Sequence, residues 1–174
     1  MILFRAYTYE MAFWLNAMTS KEEIPLALRA AYLALHRQSD AAFSEHGVTA
    51  DQFVLLATLA KGEALTQREL ALRMPSDPST VRAMLVLLEE RGLVRRAPHP
   101  TDGRARTAGL TAAGQRMFRE LWDAGESIRT QAISELTADD AKTLVRILRQ
   151  VTKSLTTLPI TGGRISTECN QRVS

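Results

Sequence analysis

A chain of 174 residues with 45% hydrophobic and 24% charged side chains suits one globular, soluble domain with a real core. A single cysteine excludes an intramolecular disulfide framework and any multi-cysteine zinc site; no apolar run approaches the ~20 residues of a membrane span, and a reducing, cytoplasmic setting fits. The net charge of +3 and pI near 9.3 lean towards a polyanionic partner, because lysine and arginine supply affinity for phosphate without regard to sequence.

Residues 1–20, MILFRAYTYEMAFWLNAMTS, carry Phe4, Tyr7, Tyr9, Phe13 and Trp14 but are interrupted by Arg5 and Glu10, which makes a poor signal-peptide core. Two readings stay open: an added helix that packs on a partner, or an extension ahead of a start at Met11 or Met18. The aromatic content favours packing. A long helix is expected from Ile24-Pro25 to about His46, with Pro25 at the first helical position and Gly47 as the stop. On it His36 and Asp40 lie four apart and share a face, with Arg37 adjacent. These three are candidates for ligand contact or for a solvated, partner-facing polar stripe, and the scattered histidines lack metal-ligand spacing.

Thr49 and Gln52 form a capping-box pattern ahead of the apolar run QFVLLATLAK, a core helix that ends at Gly62. The link Glu63-Ala64-Leu65 is placed to pair as a small third strand. Thr66 stands three residues before Glu69, so their side chains and backbone N–H groups can satisfy each other, and a helix starts there. It ends at Met74-Pro75, where the proline lacks a donor and biases its predecessor away from helical geometry. Asp77 can cap the next helix, Pro78 suits its first position, and Val81, Met84, Leu85 and Leu88 recur with helical period, so one face is buried. Gly92 stops it. The outer stripe holds Ser79, Arg82, Ala83 and Val86. Ser79, Thr80 and Arg82, at the first turns, are the candidates for base-edge and phosphate contacts, with a simple first-turn cap as the other role for Thr80.

Beyond Gly92, Leu93-Val94-Arg95-Arg96, a turn region with Pro98, Pro100 and Asp102-Gly103, and Arg104-Ala105-Arg106-Thr107 leading to Leu110 fit a two-stranded hairpin. From Arg91 to Arg106, five arginines face one acid, Asp102. Strands alternate sides, so Arg95 and Arg96 cannot both point at a nucleic acid. A protruding basic hairpin beside a helix-turn-helix is a winged helix.

Thr111 caps a further helix through Met117, Leu121, Ala124, Ile128 and Ala132, expected to run across Gly125 at a cost of ~1 kcal/mol relative to alanine. Thr137 and Asp140 signal one more cap, after which Leu144, Leu148, Val151 and Leu155 form an apolar seam near heptad spacing as far as Leu158-Pro159. Such a seam on a terminal helix is more often an interface than a core. The last helix and the N-terminal helix of two chains are therefore expected to interlock as a homodimer. Residues 159–174 read as a flexible tail in which Cys169 is an incidental exposed thiol rather than a redox sensor.

The order helix, turn, SDPSTVRAMLVLLEERGLVRR, then D-x-R (Asp102, Arg104) with Leu110-Thr111 following and A-A-G after it, resembles the MarR family of bacterial transcription regulators. The likeness extends more weakly from about Ile24 to Leu155. It implies a mostly α fold with a small β wing: a winged helix-turn-helix DNA-binding lobe at about 49–111, and dimerisation helices at about 24–46 and 111–157, within one domain at 21–158. It also implies a homodimer on double-stranded DNA, a repressor on a pseudo-palindromic operator, and a small aromatic or phenolic effector bound between the dimerisation helices and the reading head. By position, His36, Arg37 and Asp40 would line that pocket. Arg104 should reach the minor groove or phosphates, Asp102 should orient the wing arginines by a charge-assisted hydrogen bond, and Arg95, Arg96 and Arg106 complete the wing candidates. An enzyme is not expected: G-x-S-x-G, P-loop and H-E-x-x-H motifs are absent, and no cofactor is implied. The competing reading is a winged-helix module that binds protein and takes no effector.

Overall fold

The computed structural model describes residues 20–102 and 104–157. The expectations for residues 1–19 and for the tail with Cys169 lie outside the described residues. The chain divides into two compact units, one up to Ala132 and one from Ile133.

The first unit opens with α1 (Ser20–Ser44) and α2 (Ala50–Leu59), followed by β1 (Leu65–Thr66), α3 (Gln67–Arg73) and α4 (Pro78–Glu90). The hairpin β2 (Val94–Pro98) and β3 (Arg106–Leu110) leads to α5 (Ala112–Ala124) and α6 (Glu126–Ile133). The expected start signals operate: Thr49 and Thr66 each make a full capping box, with Gln52 and Glu69, and Asp77 caps α4 with Pro78 at its start. The three strands are ordered β1-β3-β2, all antiparallel, so the short link before α3 does supply a third strand. Val94 pairs with Leu110 at the base of the hairpin and Pro98 with Arg106 near its tip.

One core holds these elements together. Leu55, Leu56 and Leu59 of α2 meet Leu70 of α3, Val81, Leu85 and Leu88 of α4, Val94 of β2 and Leu121 of α5, all essentially without solvent exposure. Each such side chain contributes roughly 1.5–3 kcal/mol relative to its exposed state. This fixes α4 by its inner face, and its outer stripe is left to solvent.

Two helix boundaries differ from expectation. α1 begins at Ser20, so Pro25 lies inside it rather than at its start. A proline that near the start removes a single backbone bond, and Glu22 and Glu23 favour the first turn through the helix dipole. The helix expected to cross Gly125 is divided there into α5 and α6. A Cβ at this buried glycine would lie 3.0 Å from the movable end of the Arg129 side chain and 3.4 Å, an ordinary contact distance, from the Phe43 ring.

The second unit contains α7 (Ala138–Thr156), started by a Thr137–Asp140 capping box as expected. Its seam is open: Leu144, Val145, Ile147, Leu148 and Leu155 are 37–61% exposed. No helix among the described residues is long and apolar enough to cross a membrane.

Candidate nucleic-acid interface

Helix α4 is anchored at both ends. At its start the Asp77 carboxylate accepts the Thr80 backbone N–H at 2.8 Å and both the Ser79 and Thr80 hydroxyls. Those hydroxyls, Ser79 first, hold the Asp77 carboxyl well below the usual carboxylate range. Both are exposed, but their hydrogens are already donated, so only their lone pairs remain for an outside group. Gln67 of α3 donates from Nε2 to the Pro78 carbonyl at 2.8 Å, which sets the angle between the two helices.

At the other end Arg91 reaches back across the chain. Its guanidinium donates to the Gly47 carbonyl and, at 2.9 Å, to the His46 carbonyl, tying α4 to the corner between α1 and α2. Gly47 sits there at φ +64°, in the left-handed region that glycine enters most readily. Arg91 is thus a brace and not part of the wing's charge. Nothing periodic announces a pair separated by 44 residues in sequence.

The wing's arginines divide by strand side, as the alternation requires. Arg95 is exposed, whereas Arg96 is half-buried with Nε bonded to the Glu89 carboxylate at 2.6 Å and Nη2 to the same oxygen. That guanidinium holds the Glu89 carboxyl below its ordinary range. Arg106 is exposed, with one long contact of 3.5 Å to the Arg96 carbonyl, and Arg104 is exposed at the tip. Asp102 departs from expectation. Its carboxylate accepts the Arg104 backbone N–H at 3.0 Å instead of any guanidinium, because two residues is the reach of an aspartate turn. Asp102 shapes the loop that carries Arg104.

Among the described residues, the side chains of Arg82, Arg95 and Arg104 have no carboxylate partner. Arg82 is exposed on the outer stripe of α4 with Ser79 and Ala83, and Leu87 on the next turn is 49% exposed.

The residues considered for ligand contact fall into two groups. His36 Nδ1 lies 3.1 Å from Asp40 and its Nε2 3.6 Å from Asp51, while the second Asp40 oxygen accepts the Ala50 N–H at 2.6 Å. His36 and Asp40 therefore clamp α1 to the start of α2. Arg37 is exposed and donates from Nε to its own helix, at Leu33. Elsewhere on this unit an aromatic file runs Phe43, Phe53, Phe118, Trp122, with successive centroids 4.8–6.1 Å apart and the Arg129 guanidinium 4.0 Å from the Trp122 ring centre. An open cleft of about 390 Å³ lies along it, lined by Phe118, Arg119, Trp122 and Asp123. Among the described residues no three His, Cys, Asp or Glu side chains gather into a metal-holding cluster.

Comparison with known proteins agrees with this geometry. The model of the MarR family matches residues 46–105, from the corner before α2 to the tip of the wing, just short of β3. The HTH-type transcriptional repressor MdtR of Bacillus subtilis is 30% identical over 118 residues, covering 68% of this chain and 76% of that protein. Among solved structures, a cysteine-to-serine mutant of E. coli MarR complexed with operator DNA superposes with a TM-score of 0.68 at 26% identity, covering 78% of this chain and 99% of that one. BpsR of Bordetella bronchiseptica, whose structure concerns regulation of its DNA binding by 6-hydroxynicotinic acid, has a TM-score of 0.64 at 26% identity and covers 75% of this chain and 99% of that one.

Proposed function

The chain belongs to the MarR family of winged-helix transcription regulators, not an enzyme family, and on that premise we propose that it represses transcription as a cytoplasmic homodimer. The dimer places its two α4 helices in major grooves about 34–36 Å apart on a pseudo-palindromic operator. Ser79, Thr80 and Arg82 meet base edges and nearby phosphates, and Arg95, Arg104 and Arg106 follow the backbone or minor groove. Arg96 and Asp102 hold the wing in shape. The observation that carries this reading is the distribution of cations: those on the outer faces of helix and wing lack acid partners among the described residues, while Arg91 and Arg96 are spent on bracing.

Dimerisation is supported by apolar side chains left open on α1, where Ile24, Leu26, Tyr32 and Leu35 are 46–57% exposed, and independently by the seam of α7. A small aromatic or phenolic effector releases the operator by favouring one of two dimer geometries, since equal affinity for both would shift nothing. The aromatic cleft at Phe118 and Trp122, with Arg119 beside it, supports such a ligand better than the first candidates do. His36 and Asp40 would have to leave their clamp to serve it, and exposed Arg37 is held only by its bond to its own helix.

Selection of bound sites from a random DNA pool tests the reading. Two-fold symmetric sites are expected, and asymmetric ones would end the dimer mechanism. Retention on a DNA column that does not fall steeply with salt would point instead to a protein-binding module, because counterion release makes phosphate contacts salt-sensitive.

A further inference from the structure

The tip of the wing is built around a side chain to which the DNA-contact scheme gives no role. The half-buried His99 accepts, at Nδ1, the backbone N–H of Asp102 at 3.1 Å and of Thr101 at 3.3 Å, with the Thr101 hydroxyl also at 3.3 Å. Its own backbone N–H donates to the Ala105 carbonyl at 3.0 Å, and the Ala105 N–H returns to the Asp102 carbonyl at 3.0 Å. The Arg104 N–H then donates to the Asp102 carboxylate. A chain of bonds thus runs from the imidazole through Asp102 to the backbone of the exposed arginine. The ring nitrogen does here what the side-chain oxygen of asparagine does in an Asx turn. It can do so only while Nδ1 keeps its lone pair, with the ring proton on Nε2.

We propose that His99 is the positioning residue of the wing, and that its protonation dissolves the shape that presents Arg104, so that preference for the operator falls on acidification. The inference rests on the reading that the wing touches DNA. The charged groups about the ring are Glu69 at the first turn of α3, and Asp102 and Arg104 in the same loop. Imidazole is the side chain whose charge changes within the range a cell traverses. Two effects then oppose each other. An added positive charge by itself strengthens attraction to any phosphate backbone, whereas loss of the tip geometry weakens the contacts that depend on register. The ratio of operator to random-sequence affinity separates them.

The test uses the full chain, a fluorescent duplex carrying a selected operator and one of random sequence, at about pH 8 and about pH 5.5. His99→Asn puts a carboxamide oxygen near the place of Nδ1, able to accept the same two N–H groups but unable to titrate in this interval. The native chain is expected to lose roughly tenfold in operator preference between the two conditions. His99→Asn should restore the higher value at both. His99→Ala should bind the operator roughly tenfold more weakly at both, with unchanged thermal unfolding. Should His99→Ala bind like the native chain while Arg104→Ala is weakened, the imidazole positions nothing. Should His99→Asn lose preference on acidification as the native chain does, the response belongs to His36 or His46 and the proposal fails. If neither Ala variant weakens binding, the wing does not touch DNA, and the functional reading beneath the proposal falls with it.

Discussion

Replacing Gly114 by alanine sets two physical effects against each other with opposite signs. In a helix interior the change should stabilise by roughly 0.5–1 kcal/mol, because glycine has more backbone freedom to lose. Gly114, however, lies in the first turn of α5 where that helix is pressed against the base of the wing, and an added Cβ would stand 2.0 Å from the Leu93 carbonyl oxygen and 3.3 Å from Leu110 Cδ2. Real Cβ atoms essentially never come within 3.0 Å of such neighbours, and the first obstacle is backbone that no rotamer change can remove. Retreat of the helix by an ångström or more would stretch the Thr111 N–H to Leu93 bond, now 3.1 Å, and the Thr111 hydroxyl to Gly92 bond, now 2.7 Å. Overpacking costs about 1–3 kcal/mol and the strained bonds about 1 more, so after the helix gain is subtracted the net loss is about 1–3.5 kcal/mol. Urea unfolding at fixed protein concentration measures it, since the apparent stability of the proposed homodimer would depend on concentration. An alanine variant as stable as the native chain, or more so, would show that helix and wing are not pressed together as described.

Arg104→Ala should weaken operator binding by about 1–3 kcal/mol and reduce the slope of log affinity against log salt by about one; unchanged binding at moderate salt would remove the wing from the mechanism. Leu148→Glu, on the open seam of α7, should yield a helical but monomeric protein with little operator affinity in sedimentation and gel-shift experiments, and a persistent dimer would place the interface elsewhere. Thr66 holds Glu69 low through its backbone N–H and then its hydroxyl, Ser79 foremost holds Asp77 low, and Arg96 does the same for Glu89. With pKa values depressed in the folded state, all three stabilise fully above the ordinary carboxylate range near pH 4, and that stability is lost as pH falls through the lower folded-state values. Glu89→Gln should therefore flatten the acid limb of a circular-dichroism titration. An equally steep limb would mean that the Arg96 contact does not stabilise the fold.

Local grammar was legible in the chain, and distant partnerships were not. Thr49, Thr66, Asp77 and Thr137 announce their helices because a cap is a contact within three residues. The inner face of α4 is legible because burial repeats with the helical period. Proline and glycine are less legible, because their roles depend on surroundings: Pro25 is tolerated inside α1, and the helix expected to cross Gly125 is divided there. Five arginines in the wing interval stand out as charge, but charge alone does not say which of them find partners. Strand alternation already parts Arg95 from Arg96; the fold adds which of the two is bonded, Arg96 to Glu89, and that Arg91 turns to the α1–α2 corner. His99 drew no notice in sequence, since an acceptor for two backbone N–H groups has no spacing rule of its own.

The bond between Glu89 and Arg96 also bears on how much a target site can vary. A hairpin latched to the trailing turn of its helix cannot slide along a duplex independently, so both would meet each half of a binding site as a single rigid stamp. Tolerance for spacing would then have to come from the junction between two subunits. An extra base pair should be far more damaging within a half-site than at the centre between them.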